Sequence, residues 1–307
     1  MKTFAIASPF GGQFCYDYVV YLSLRQAMER LGLKYNNASP NKIYLIGHPN
    51  WPRYETCINR KDSDFTIALI GSGVPNIKRD FLSKFSMVFT TTPESYTQIL
   101  KNTGIKPDGI WNQYSPFEMG GHPPKFDLTK ESIPIPEMDV AFVGNARPRP
   151  AVEALMSIID SFPGLKFNFY GKGIDKYRGN PKAKQYWAKS HLPYHQFPEV
   201  AKKAKVVLLD MHSHMSDYGM PSFKLIDFMM CGAFTISAHN VGAPKYLGAL
   251  SFNSNDELKN TLHKYLNNPM ERGKIAKEGQ NIVQKKHGVS HTAAHLAGLI
   301  LTRGRSE

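Results

Sequence analysis

The chain has 307 residues, 42% hydrophobic and 21% charged, the balance of a globular protein with room for two domains of ordinary size. No run of about 18 apolar residues occurs, which excludes a transmembrane helix. Three scattered cysteines, Cys15, Cys57 and Cys231, argue against a disulfide framework or a zinc site and for a reducing compartment, the cytoplasm. The net charge of +13 favours a polyanionic partner: nucleic acid, an anionic membrane or an anionic polysaccharide.

In chain order, strands and helices alternate. "KTFAIAS" reads as a first buried strand and not as a signal peptide. Gly11-Gly12 makes a turn, and "CYDYVVYLSLRQAMERLGLKY" is an amphipathic helix ending near Gly32. "KIYLIGH", "FTIALIG" and "FSMVFTTT" are apolar runs bounded by turn residues, hence buried strands. Pro93 opens the helix "PESYTQILKNTG". Residues 118–138, rich in Pro and carrying Gly120-Gly121, read as an interdomain linker.

A second α/β unit follows. "DVAFVG" is a strand, "AVEALMSIIDSF" a helix and "LKFNFYG" the next strand. Residues 172–197 read as a long polar and basic loop. "FPEVAKKA" is a short helix, "KVVLLDM" a strand, "FKLIDFMM" a helix and "AFTIS" a strand. Two amphipathic helices lie near the end. The alternation implies parallel sheets with helices on both faces. The expected architecture is α/β, with two doubly wound Rossmann-like domains facing a central cleft. The first spans residues 1–137 and the second 138–289, with a C-terminal helix at about 290–307 packing back on the first. Open α/β sheets bind ligands outside the carboxyl ends of their strands.

Within the second domain, Lys224 and Asp227 lie three residues apart, on one face of a helix that starts near Pro221-Ser222. A helix start attracts phosphate through its free N–H groups and dipole. Lys224 adds a full positive charge, and a carboxylate at 227 can accept the hydroxyls of a ribose. That combination fits a nucleoside diphosphate. A surface Lys–Asp pair without function is the bland alternative. "DMHSHMSD", with Asp210, His212, His214 and Asp217, has a spacing open to metal, but no further Cys/His cluster accompanies it. The expectation is no metal site and a loop lining the cleft. The loop at 172–189 carries Lys172, Lys176, Arg178, Lys182, Lys184 and Lys189 against Asp175, interleaved with Tyr177, Tyr186 and Trp187. This composition suits a nucleic-acid backbone and an unstacked base.

Lys224-x-x-Asp227, the following Phe228-Met229, Cys231-Gly232 and the strand from Ala233 resemble the donor-site helix of the GT-B nucleotide-sugar glycosyltransferases. Across residues 139–258, "DVAFVGNAR", "FNFYG", "YRGNPKAKQYW" and "LLDMHSHMSD" are similar in order and spacing to the phage DNA β-glucosyltransferases. The similarity to spore-maturation-type glycosyltransferases is more remote. Asp227 stands where the family has Glu, and Gly219 where its first paired Glu falls. The first 138 residues match poorly.

The resemblance implies a nucleoside-diphosphate sugar, a UDP-sugar first, as co-substrate. No cofactor is obligatory, and a divalent metal is an optional addition. Donor-binding roles fall to Gly144, Arg147, Arg149, Ser222, Lys224 and Asp227, with Leu192 opening a segment beside the base. Arg147 would also stabilise the departing diphosphate. An acceptor base should come from the first domain, where Asp17 is favoured over His48 and Ser72. Lys182, Lys184, Arg178 and Trp187 would contact double-stranded DNA, whose target base must be flipped out. The implied activity is transfer of a sugar to a hydroxymethylated pyrimidine in phage DNA, by a monomer in the host cytoplasm. Two alternatives stand: transfer to a surface polysaccharide or lipid-linked acceptor, and non-catalytic nucleotide or DNA binding.

Overall fold

The computed structural model describes residues 2–7, 16–46, 61–117, 132–189 and 192–306. Gly11, Gly12, His48 and most of the expected linker lie outside them. Among the described residues, the strands form two six-stranded sheets in which every pairing is parallel. The chain divides into two compact units. The first is Met1–Pro116, Ser213–Met220 and Lys286–Glu307, and the second is Phe117–His212 and Pro221–Lys285.

In the first unit, β1 (Thr3–Ala7), α1 (Tyr16–Arg30), β2 (Lys34–Tyr35), β3 (Asn41–Ile46), β4 (Phe65–Ile70), α2 (Arg79–Leu82), β5 (Met87–Thr90), α3 (Pro93–Thr103) and β6 (Gly109–Ile110) follow in order. The sheet order is β2-β1-β3-β4-β5-β6. Ile43, Ile67, Ala68 and Ile70 are fully buried, as continuous apolar runs in a sheet covered on both faces require. The helix expected to end near Gly32 stops at Arg30. Gly32 takes φ 86°, and Lys34-Tyr35 pair with β1 as an edge strand. Thr92 and Ser95 close a capping box, and Pro93 fills the first turn of α3. The C-terminal helix (Val289–Arg303) belongs to this unit and packs on α1. The Lys2 ammonium donates to the Ile300, Leu301 and Gly304 carbonyls at its end.

The second unit contains β7 (Met138–Val143), α4 (Pro150–Ile158), β8 (Phe167–Tyr170), β9 (Trp187–Lys189), α5 (Phe197–Lys203) and β10 (Ala204–Leu209). After α6 (Ser213–Ser216), which belongs to the first unit, come α7 (Phe223–Met230), β11 (Thr235–Ala238), β12 (Leu250–Phe252) and α8 (Asn255–Leu266). Helix α9 (Pro269–Lys286) leads to the C-terminal helix, α10. The sheet order is β12-β11-β10-β7-β8-β9. The chain therefore winds outward from β7 in one direction through β8 and β9, and returns to β10 on the other side of β7. Loops leaving β7 and β10 diverge at this switch point, where open α/β sheets open a crevice.

Two expectations change. The units divide at Pro116/Phe117 and not at 137/138. Phe117 stacks on Tyr194 at 4.7 Å, and the Ile133 backbone exchanges two hydrogen bonds with the Gln196 amide, 2.8 and 2.7 Å. The described part of the Pro-rich stretch is thus packed on the second unit. The basic loop is also structured. It forms 3-10 turns at Ile174–Lys176 and Pro181–Tyr186, then the edge strand β9. Glu153 on α4 organises it, accepting from the Tyr177 hydroxyl and from the Asn180 N–H.

Candidate active site in the second unit

The carboxyl ends of β7, β8 and β10 bring glycines and charged groups together. Gly144 follows β7 and donates its N–H to the Tyr170 carbonyl, 2.9 Å. A Cβ there would lie 2.9 Å from the Phe142 ring and 3.4 Å from Lys224 Nζ. Gly171, after β8, is packed so tightly that a Cβ would collide with the Gly144 carbonyl oxygen. Two loops thus run backbone against backbone, and only glycine leaves that approach open.

Lys224 stands in the first turn of α7. Ser222 is the N-cap, and its hydroxyl accepts from the Leu225 N–H, 3.2 Å. The Lys224 ammonium reaches 81 residues back in sequence and donates to the Val143 carbonyl, 3.0 Å. Burial pushes its pKa down to about 8, and Arg149 and Arg147 add to the fall; Asp210 and Asp227 oppose it. Asp227 is fully buried one turn further along α7.

Arg147 and Arg149 part company. Arg149 is buried and forms a bidentate ion pair with Asp210, with Nε to Oδ2 at 3.1 Å and Nη2 to Oδ1. Asp210 also lies 3.4 Å from the Ala151 N–H at the start of α4. Arg147 is exposed, with Nη2 2.9 Å from His212 Nε2. Desolvation lowers its pKa, and Arg149 lowers it further. Arg149 and Asp210 form a buried, charge-balanced pair, and exposed Arg147 and half-buried Lys224 are two further cations within electrostatic reach of it. Such a cluster suits a diphosphate.

Among the other candidates, Leu192 is buried in the segment that leads into α5. The Trp187 indole donates to the Gly171 carbonyl, 2.9 Å, which ties the edge strand to the glycine contact. Arg178 lies within 3.3 Å of the Tyr177 carbonyl, and Lys184 is exposed. Lys182 pairs with Asp160 at 2.7 Å, beyond the far end of α4, so it is not brought to the Arg147–Lys224 edge. Asp17 is the second residue of α1, after β1 in the first unit. Of the loop weighed as a metal site, Asp210 and His212 belong to the second unit and Ser213–Met220 to the first. No group of three metal-ligating side chains occurs among the described residues. Sequence reasoning did not foresee the Arg149–Asp210 pair, Gly171 or Glu153. The signals were present in "RPRP" beside "LLDM" and in the glycine ending "FNFYG", but their partners are remote in sequence.

Residues 147–298 match the glycosyl transferase-like family model. No curated protein matches the chain by sequence. Among solved structures, the chain is similar to the sucrose-phosphate synthase of Thermosynechococcus elongatus, with TM-score 0.60, 12% identity and 98% of each chain covered. It is similar to T4 phage BGT, a β-glucosyltransferase, in complex with UDP and Mn2+, with TM-score 0.55, 13% identity and again 98% of each. It is also similar to TarM of S. aureus, with TM-score 0.58, 11% identity, 91% of this chain and 58% of that one. The chain therefore spans less than two thirds of TarM. At such identities the likeness to these structures is one of fold, and the glycosyl transferase-like match adds the activity class. The chain has the GT-B fold, similar to that of phage β-glucosyltransferase, and its residues 147–298 form a glycosyl transferase-like domain.

Proposed function

We propose that the protein transfers a sugar from a UDP-sugar to a hydroxymethylated pyrimidine in phage DNA. The observation that carries the donor half is the cationic edge at the β7/β10 switch point. There Lys224 and Arg147 add two cations to the charge-balanced Arg149–Asp210 pair, and with the Asp227 carboxylate counted the cluster still carries net positive charge for the diphosphate. In the reaction, the bond between the sugar's anomeric carbon and the diphosphate oxygen breaks, and its electron pair leaves on the diphosphate. The acceptor hydroxyl oxygen forms the new bond and gives its proton to a base, for which Asp17 is the candidate. Arg147 and Lys224 stabilise the charge that grows on the leaving oxygen, so the reading requires no resident cofactor.

The acceptor half rests on the +13 net charge and on the likeness to BGT, described as a DNA modifying enzyme. The test is incubation with a panel of UDP-sugars and hydroxymethylated or plain DNA, followed by nucleoside mass analysis. A hexose or pentose mass increment on the hydroxymethylated nucleoside alone is the expected result. Donor hydrolysis or binding without any DNA product would discard the DNA acceptor and favour a glycan or lipid-linked one.

A further inference from the structure

The next loop on the same sheet edge, after β11, holds a strained residue that the donor reading does not use. His239 adopts φ 45°, the one non-glycine residue with positive φ among the described residues. Left-handed backbone is unfavourable for a residue with a Cβ, and such outliers persist where the surroundings hold them and cluster at ligand sites. The surroundings here are explicit. The His239 N–H donates to the Phe252 carbonyl, 2.9 Å. Asn240 is buried; its Oδ1 accepts from the Ala243 N–H at 2.6 Å and its amide contacts Met211 Sδ. Met211 directly follows Asp210, so the loop is fastened to the strand end that carries the Arg149–Asp210 pair.

Rigid anchoring contrasts with what the loop displays. His239 is exposed, and Val241 is 63% exposed in a segment whose neighbours on both sides are buried. The chain then enters a π-helical turn, Ala243–Leu247, a rare conformation that is frequent at functional sites. An imidazole that can donate and accept, beside an exposed branched apolar side chain, matches the two faces of a sugar: hydroxyls at its rim and C–H groups on its ring.

We infer that the His239–Val241 loop reads the sugar of the nucleotide-sugar donor and sets which sugar is accepted. His239 takes a ring hydroxyl, and Val241 packs on the C–H face. This inference rests on the donor site proposed above, on the adjacent strand ends of the same sheet.

The test separates nucleotide from sugar. Calorimetric affinities for UDP, UDP-glucose, UDP-galactose and UDP-N-acetylglucosamine are measured for the wild type, His239→Gly and Val241→Ala. Glycine tolerates φ 45°, so His239→Gly keeps the loop conformation and a melting temperature at or above the wild type. The expected result is UDP affinity within about twofold of wild type in both variants. The ratio between the best and worst UDP-sugar should flatten by about tenfold in His239→Gly, and by less in Val241→Ala. UDP binding with an unchanged ratio in both variants would overturn this inference and leave the donor site standing. A wild type that binds none of the four would overturn both.

Discussion

At the scale of single residues, Lys224 and the two arginines differ in ways that solution measurements separate. The folded-state pKa of Lys224, about 8, lies below the ordinary lysine value of 10.5. Between those two pH values the unfolded chain holds a proton that the folded chain has released. Stability therefore rises with pH across that window, and Lys224→Met should abolish this part of the slope in urea titrations. An incoming diphosphate favours the charged form. UDP binding above pH 8 should thus take up a proton, seen as a dependence of the calorimetric heat on the buffer's ionisation enthalpy and lost in Lys224→Met. Arg149→Ala would leave Asp210 buried without its partner, and unfolding measurements should show a loss of about 3–5 kcal/mol. Arg147 is exposed and lies against His212. Arg147→Ala should change stability by less than about 1 kcal/mol and lower turnover by about 100-fold, more than it lowers UDP-sugar affinity. Equal losses in turnover and affinity would remove it from transition-state stabilisation.

At the scale of elements, the candidate site depends on two loops that touch through their backbones. Gly171→Ala places a methyl group on the Gly144 carbonyl, and neither loop can retreat without breaking the β7–β8 ladder. A loss of at least about 1–3 kcal/mol in chemical denaturation is expected, with UDP binding impaired at temperatures where the variant is still folded. Helix α7 was legible before any coordinates. Its apolar run, Ser222 cap and Cys231-Gly232 ending mark both ends, and Gly232 does take φ 80°. The short edge strands β2, β6 and β12 were not, because two or three residues hold no period. The 172–189 segment reads from sequence as a basic loop for a related reason. Its order comes from Glu153, a residue on another element, and from the Trp187 contact with Gly171.

For the whole molecule, the +13 charge makes a prediction of its own. If duplex DNA is the acceptor, log affinity should fall with log salt, each phosphate contact contributing a slope of about −0.9. Replacing Lys182 and Lys184 with Ala should make the slope shallower by up to about 2 units. Lys182 already pairs with Asp160, so Lys184 should account for the larger share. Filter binding between 50 and 300 mM salt, roughly a range in which surface charges become screened, checks this. A flat salt response in the wild type would remove DNA from the proposal.

The amino-acid sequence by itself determined the α/β alternation, the parallel sheets and the position of helix α7. Apolar runs, Pro and Gly punctuation and a capping serine are local signals, carried by residues within one turn or strand of one another. Tertiary structure alone decided which charges meet. Arg149 and Asp210 are 61 residues apart and Lys224 and Val143 are 81 apart. Their meeting follows from β10 returning to the free side of β7, a choice of strand order that no local pattern encodes. The same ordering made one of two neighbouring arginines a buried counter-ion and left the other at the open edge.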